Sequence, residues 1–157
     1  MTGPIYSFDT SAFVDWWVRY YPPNILPSLK KQMEGIVQQG RLKASRSVYD
    51  ELEVGGDELF KWVKSLRIEI IVEDDEAVQK LARPLIASYS SPDKPKNGLS
   101  GADPFIIAHA QKNSPPWIVV SGEKGDANNP KIGYVCGQLN IKCMDFRGFW
   151  ANEGWTF

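Results

Sequence analysis

Ile5-Tyr6-Ser7-Phe8-Asp9-Thr10-Ser11 is a short apolar run that ends on an acid and passes into hydroxyl residues. The run reads as a buried strand over residues 5–8. Thr10 or Ser11 can then cap a helix over 12–20. Trp117-Ile118-Val119-Val120-Ser121-Gly122-Glu123 repeats the pattern, with a strongly β-prone strand over 117–121 and an acid just after it. If such strands run parallel and side by side, acids at their carboxyl ends meet in one crevice.

Outward from these two segments, helices alternate with short apolar strands. The helix over 12–20 carries Phe13, Trp16, Trp17, Tyr20 and Tyr21 and is apolar on nearly every side. So short a helix cannot turn all of these rings inward, and exposed Trp and Tyr are typical of protein interfaces. Pro22-Pro23 stops it. A helix over 28–38 follows, with Leu29, Met33, Ile36 and Val37 on one stripe and Gly40 just past its end. Residues 41–45 make a small strand. Helices follow over 46–54 and 57–66, then a strand over 68–72. A further helix spans 75–89, kinked or split at Pro84. Residues 90–100 form a loop rich in Ser, Pro and Lys, the place where a substrate-gripping segment fits best. A helix over 101–113 leads to the strand at 117–121. A polar loop over 122–130, a helix over 135–139, a strand over 141–144 and a helix over 145–152 complete the chain. The alternation predicts an α/β layered fold with a central, mainly parallel sheet, and the strand over 5–8 is expected near its centre.

At 157 residues the chain is expected to form a single domain over 1–157. Apolar residues make up 43%, enough for a packed core rather than disorder. Lys and Arg number 18 against 19 Asp and Glu, which excludes a strongly basic coating protein but leaves room for a local basic patch. Cys136 and Cys143 form neither a disulfide framework nor a zinc pattern and read as reduced, buried thiols. Nothing at the N-terminus resembles a signal peptide, and no apolar run approaches the ~20 residues of a membrane span. A cytoplasmic protein with no membrane partner is expected.

Four acids, Asp9, Glu51, Asp103 and Glu123, fall at element boundaries far apart in sequence. Each has an ordinary structural reading too. Asp9 precedes a helix and can cap it, although Thr10 and Ser11 can do the same. Glu51 sits between Asp50 and Glu53, but Val48, Glu51 and Leu52 at i, i+3 and i+4 place it on the apolar stripe. Asp103 lies three residues after Ser100, as in a capping box, and it shares a face with Ile106, Ile107 and Ala110. Glu123 competes with Asp126 in the same loop. Carboxylates gathered at close range need a counter-charge, and a hard divalent cation such as Mg²⁺ or Mn²⁺ supplies it. His109 is the sole histidine, which removes most Ser-His-Asp and Cys-His chemistry and suggests a structural role. No Gly-rich loop with Lys-Ser/Thr is present, so phosphate-loop nucleotidases are also excluded.

These segments in their order resemble the PIN domain, in particular the small toxins of the VapC kind. The resemblance rests on Tyr6-Ser7-Phe8-Asp9-Thr10-Ser11, Val48-Tyr49-Asp50-Glu51-Leu52-Glu53-Val54-Gly55, Gly101-Ala102-Asp103-Pro104-Phe105-Ile106-Ile107-Ala108 and Ile118-Val119-Val120-Ser121-Gly122-Glu123. Two positions depart from the family pattern: Glu123 stands where Asp is usual, and Ser121 where Thr is usual. The resemblance implies a three-layer α/β/α fold and a metal-dependent endoribonuclease acting on single-stranded RNA. It also implies a toxin neutralised by an antitoxin protein, in many members as a homodimer.

On this reading Asp9, Glu51, Asp103 and Glu123 hold Mg²⁺ or Mn²⁺, which activates water for in-line attack on a phosphodiester. Ser11 or Ser121 orients water or a phosphate oxygen. Lys43, Arg46, Lys94, Lys96, Lys124 and Lys131 are candidates to hold the RNA backbone. Two other classes remain open. One is a PIN-like binding module without catalysis, which would not cleave RNA. The other is a haloacid-dehalogenase-type phosphotransferase with Asp9 as nucleophile, although that class wants a second Asp where this chain has Ser11.

Overall fold

Tyr6, Ser7 and Phe8 form β1, and their side chains alternate between two faces as strand geometry requires. Ser7 Oγ donates to the Ile106 carbonyl 3.0 Å away, which marks the face covered by helix α7 (Asp103–Lys112). Tyr6 and Phe8 leave by the other face and pack edge-on against Phe149 of helix α9 (Phe146–Asn152). Phe8 also meets Phe13. By the same alternation the next residue, Asp9, leaves on the α7 side.

The computed structural model describes residues 3–91, 93–94 and 97–157. Among them the strands form one five-stranded sheet in the order β3-β2-β1-β4-β5, with β2 at Leu42–Ser45, β3 at Ile71–Val72, β4 at Ile118–Val120 and β5 at Cys143–Met144. Every pairing is parallel, and β1 is central as expected. The architecture is therefore α/β, with helices on both faces of a parallel sheet, as the alternation of elements predicts. The register sets Phe8 beside Val120, so Asp9 and Ser121 leave their strands as neighbours.

Helix α1 (Thr10–Val14) continues into a π-helical turn, Asp15–Tyr20. Helices α2 (Pro27–Gln38), α3 (Arg46–Gly55), α4 (Glu58–Ser65), α5 (Arg67–Ile70), α6 (Glu76–Tyr89) and α8 (Ile132–Gln138) complete the set. Leu29, Met33, Ile36 and Val37 form the buried stripe of α2 as expected. Helix α7 is the exception to one-sided burial: Ile106, Ile107, Ala108, His109 and Ala110 are all buried between the sheet and α6.

Several local expectations are corrected. Residues 67–70 form a helical turn rather than part of a strand, and only 71–72 join the sheet. Ile68 is exposed while Ile70 is buried, and a short apolar run cannot by itself separate the two conformations. Pro84 lies inside a continuous α6, on its exposed side, while Val78, Ala82 and Leu85 bury the other. Neither Thr10 nor Ser11 caps α1. Asp9 holds the cap position without a side-chain cap bond, because all three side chains are engaged elsewhere. The aromatic segment divides. Trp16 is fully buried among Trp17, Trp62 and Phe146, Trp17 and Tyr21 are half-buried, and Tyr20 is exposed.

At the amino end of the sheet, Arg41 and Glu153 form a buried two-bonded pair, with N–O distances of 2.6 and 2.9 Å. Tyr6 donates its hydroxyl proton to the same carboxylate. Burial, together with the neighbouring Glu153, pushes the Tyr6 hydroxyl up to about 12. This clamp fastens the C-terminal helix to β1 and β2 at the end opposite the acids.

Candidate metal centre

Asp9 lies directly after central β1, in extended backbone, and is 3% exposed. Two serines hold it. Ser11 Oγ donates to Asp9 Oδ2 at 2.7 Å and Ser121 Oγ to the same oxygen at 2.8 Å. Each serine oxygen in turn accepts a backbone N–H of the loop after β4, from Gly122 to Ser11 at 3.0 Å and from Glu123 to Ser121 at 3.1 Å. The loop that carries Glu123 is thus hung on Asp9 through two hydroxyl relays. Both serines serve Oδ2, so Oδ1 is the oxygen of Asp9 without a serine partner.

Asp103 opens α7 with Pro104 behind it, a favoured place for proline because the first turn needs no donor there. Its Oδ2 accepts the Ser100 N–H at 3.0 Å, so the acid does close the turn before the helix. It still faces Asp9. One oxygen each from Asp9, Asp103 and Glu123 lie within 4.8 Å of one another. Oxygens bound to one ion at 2.0–2.6 Å can be about 4–5 Å apart across it, so the spacing fits a shared hard cation. The donor set is all carboxylate, which suits Mg²⁺ or Mn²⁺ and offers nothing to a thiophilic metal.

The electrostatics agree. Burial is the largest cause that pushes the Asp9 carboxyl up to about 6, and Glu123 and Glu51 add to it against the opposing serine bonds. Burial, then the Asp9 charge, pushes Asp103 up to about 8. Burial and the neighbouring carboxylates thus favour the protonated form of both acids more than water does, and more so for Asp103 than for Asp9.

Glu51 does not join the group of three. It is exposed rather than on the buried stripe, although Val48 and Leu52 beside it are buried. Its carboxylate accepts Thr10 Oγ1 at 2.6 Å and the Ala102 N–H at 3.1 Å. It therefore braces the turn that launches Asp103. Gly101 makes room for this. Its φ is +54°, and a Cβ there would lie 2.4 Å from Glu51 Oε2.

Of the two acids in the loop after β4, Glu123 and not Asp126 lies with Asp9 and Asp103. Asp126 is exposed and closes its own turn by accepting the Asn128 and Asn129 N–H groups at 2.9 Å. Of the cationic candidates, Lys124 is exposed and borders a cavity shared with Ser121 and Glu123. Lys94 is exposed, and Lys131 is half-buried. Lys43 donates to the Glu69 carbonyl at 2.9 Å, and Arg46 pairs with Asp50 and Glu73. Those two are therefore tied to structure. Lys96 lies outside the described residues.

Two further acids hold side-chain bonds that the sequence did not single out, Asp15 beside the site and Asp74 after the edge strand β3. Asp15, on the π-helical turn, is buried beside Gly122 and pairs with Arg19 at 3.1 Å. Nothing in its local sequence separates it from a solvated helix acid. Asp74 lies two residues after β3, with Glu73 between them. Its carboxylate accepts Ser45 Oγ and Ser47 Oγ and bonds His109 Nε2 at 2.7 Å. Burial pushes Asp74 up, but the His109 and serine bonds outweigh it and hold the carboxyl below the usual range. His109, itself buried, thus holds a structural node. The cysteines are both free thiols, Cys136 buried and Cys143 half-buried.

Residues 6–157 match the sequence model of a family described as a domain of unknown function, DUF4411. The chain belongs to that family. No curated protein matches the chain. The DUF4411 match spans both the Asp9 and the Glu123 ends of the site, so the acid cluster and the sheet that builds it fall inside one family domain.

Proposed function

We propose that the chain is a metal-dependent endoribonuclease of the PIN type, acting on single-stranded RNA. The observation that carries the reading is the convergence of Asp9, Asp103 and Glu123 within 4.8 Å at the carboxyl end of a parallel sheet. Mg²⁺ or Mn²⁺ bound there supplies the charge that acidifies attacking water and offsets the negative charge growing on the phosphate.

The protein's own groups divide the remaining work. One carboxylate oxygen each of Asp9, Asp103 and Glu123 would hold the ion. Ser11 and Ser121 lock the Asp9 carboxylate by holding Oδ2, as outer hydrogen bonds commonly do for metal ligands. Asp103, whose carboxyl burial and the Asp9 charge push up to about 8, would have to lose its proton to hold a cation there. Glu51 keeps the start of α7 in place. Lys124 is the best placed side chain to meet a phosphate of the strand.

The resemblance to VapC-like toxins extends the proposal to a toxin whose antitoxin covers the acid site, with a homodimer as the active form. Cleavage of a labelled single-stranded RNA with Mn²⁺, with excess EDTA, and by Asp103→Asn tests the chemistry. Activity that survives EDTA removes the metal mechanism. Induced expression in bacteria tests the toxin reading, which requires growth arrest by the parent chain and none by Asp103→Asn.

A further inference from the structure

A cavity of about 340 Å³ opens at Gly122, the residue next to Glu123 in the loop after β4. Its walls come from three places at the carboxyl end of the sheet. Asp15, Tyr20 and Tyr21 come from the π-helical turn and its end, Gly122 from the loop after β4, and Asp145, Phe146 and Arg147 from the start of α9. The volume falls in the range of small-molecule sites. Gly122 joins cavity and acids. A Cβ on it would lie 2.8 Å from Asp15 Oδ2 and 3.7 Å from Ser11 Oγ, so only glycine lets Asp15 stand this close to the hydroxyl relay.

The wall chemistry is unusual for a surface cleft. Tyr20 is 61% exposed and its ring leans on Tyr21 alone, at 6.1 Å between centroids, among the described residues, while Tyr21 is fixed against Phe146 and Trp150. Two carboxylates, acceptors only when ionised, share the cavity. Asp15 gives one oxygen to Arg19, and Asp145 gives one to the Gly148 N–H. The second oxygen of each accepts no hydrogen bond among the described residues. Arg147 is exposed, and no ion pair engages it among the described residues. The wide π-helical turn puts Asp15 and Tyr20 on the cavity wall together, and such turns recur at functional sites.

We propose that this cavity is a guanine subsite for the RNA strand cut at the adjacent acids; the proposal rests on the ribonuclease reading above. A flat base stacks on Tyr20 and Tyr21, as single-stranded RNA does on aromatic platforms. Carboxylates select bases that present N–H donors, and guanine offers N1–H and its exocyclic amine side by side on one edge. Uracil offers one donor between two carbonyls that the carboxylates repel. Arg147 meets the phosphate next to the bound base, and the strand passes Gly122 to reach the acids.

The test has two arms, both on the full chain. In the first, metal is removed with EDTA, and GMP, AMP, CMP and UMP are titrated against intrinsic fluorescence. GMP should bind about tenfold tighter than UMP or CMP, and Tyr20→Ala should lose about tenfold, the size of one base–aromatic stack. Asp15→Asn should lower the preference for GMP over AMP. Equal binding of all four nucleotides, or GMP binding unmoved by Tyr20→Ala, overturns the subsite. In the second arm, single-stranded RNAs with one guanosine or none are digested with Mn²⁺. Cleavage beside the guanosine, with Tyr20→Ala raising KM about tenfold and leaving kcat nearly unchanged, supports it. RNA cut without regard to guanosine leaves the ribonuclease reading standing and overturns the subsite. GMP preference without any RNA cleavage overturns the ribonuclease reading and assigns the cavity to a free guanine nucleotide instead of a strand.

Discussion

Glu51 Oε2 accepts the Ala102 N–H across 3.1 Å and so ties α3 to the turn that delivers Asp103. The bond joins residues far apart in sequence and explains why an exposed acid stands beside a buried cluster. Glu51→Ala should leave the N–H and Thr10 without an acceptor. A partly exposed bond to a charged acceptor is worth about 1 kcal/mol, or about 2–4 °C of melting temperature for a chain of this size. Thermal melts check this. The same variant should weaken Mn²⁺ binding less than Asp103→Asn does. An equal loss in both would make Glu51 a direct ligand.

Gly101→Ala should be worse than a left-handed backbone alone predicts. The αL conformation costs about 1–2 kcal/mol for a residue with a Cβ, and here that Cβ would strike the Glu51 carboxylate. Adding Glu51→Ala should recover part of the loss by opening space. Denaturant titration of the two single variants and the double variant reads this coupling. Strict additivity would mean that the contact does not matter.

Ser11→Ala and Ser121→Ala should each reduce Mn²⁺ affinity about 10–100-fold, the usual effect of losing a bond that orients a ligand. Their combined effect should be less than the product, because both serve Asp9 Oδ2. Calorimetric titration of Mn²⁺ into the three variants measures it.

Metal-free stability should fall as pH rises. Asp9 is raised from 3.8 to about 6 and Asp103 from 3.8 to about 8. The folded state therefore binds more protons than the unfolded state above pH 3.8. Stability from these groups is whole below that pH, and it is lost as pH rises through about 6 and then about 8. Asp103→Asn does not carry its share of that loss, and its amide oxygen can still accept the Ser100 N–H. Its melting temperature in EDTA should gain on the parent chain from pH 5 to pH 9. A gap that stays constant or closes with pH would show that Asp103 is not held protonated.

Glu153→Ala should destabilise by about 3–5 kcal/mol, because it strands the buried Arg41 guanidinium. Since the clamp lies at the amino end of the sheet, Mn²⁺ affinity should change little at temperatures where the variant is folded. Urea unfolding and Mn²⁺ titration on the same preparation separate the two effects.

The sequence by itself determined the frame. Apolar strands of period two alternate with helices of period 3.6, and this dictates a parallel sheet. An acid at the end of a strand must then emerge at the carboxyl edge, as Asp9 does beside Ser121. Local rules suffice there, because a strand fixes the direction of each successive side chain. They fail where position depends on distant chain. Glu51 lies on the expected helix, but its long side chain is steered outward by Thr10 and Ala102. The choice of Glu123 over Asp126 depends on a loop hung from Ser11 and Ser121, which come from opposite ends of the sequence. Asp15, Tyr20 and Arg147 look like ordinary surface residues until the π-helical turn and the first turn of α9 face each other across Gly122. Tertiary structure decided these, because hydrogen bonds and close contacts between remote segments fix rotamers and loop paths that neighbouring residues leave free.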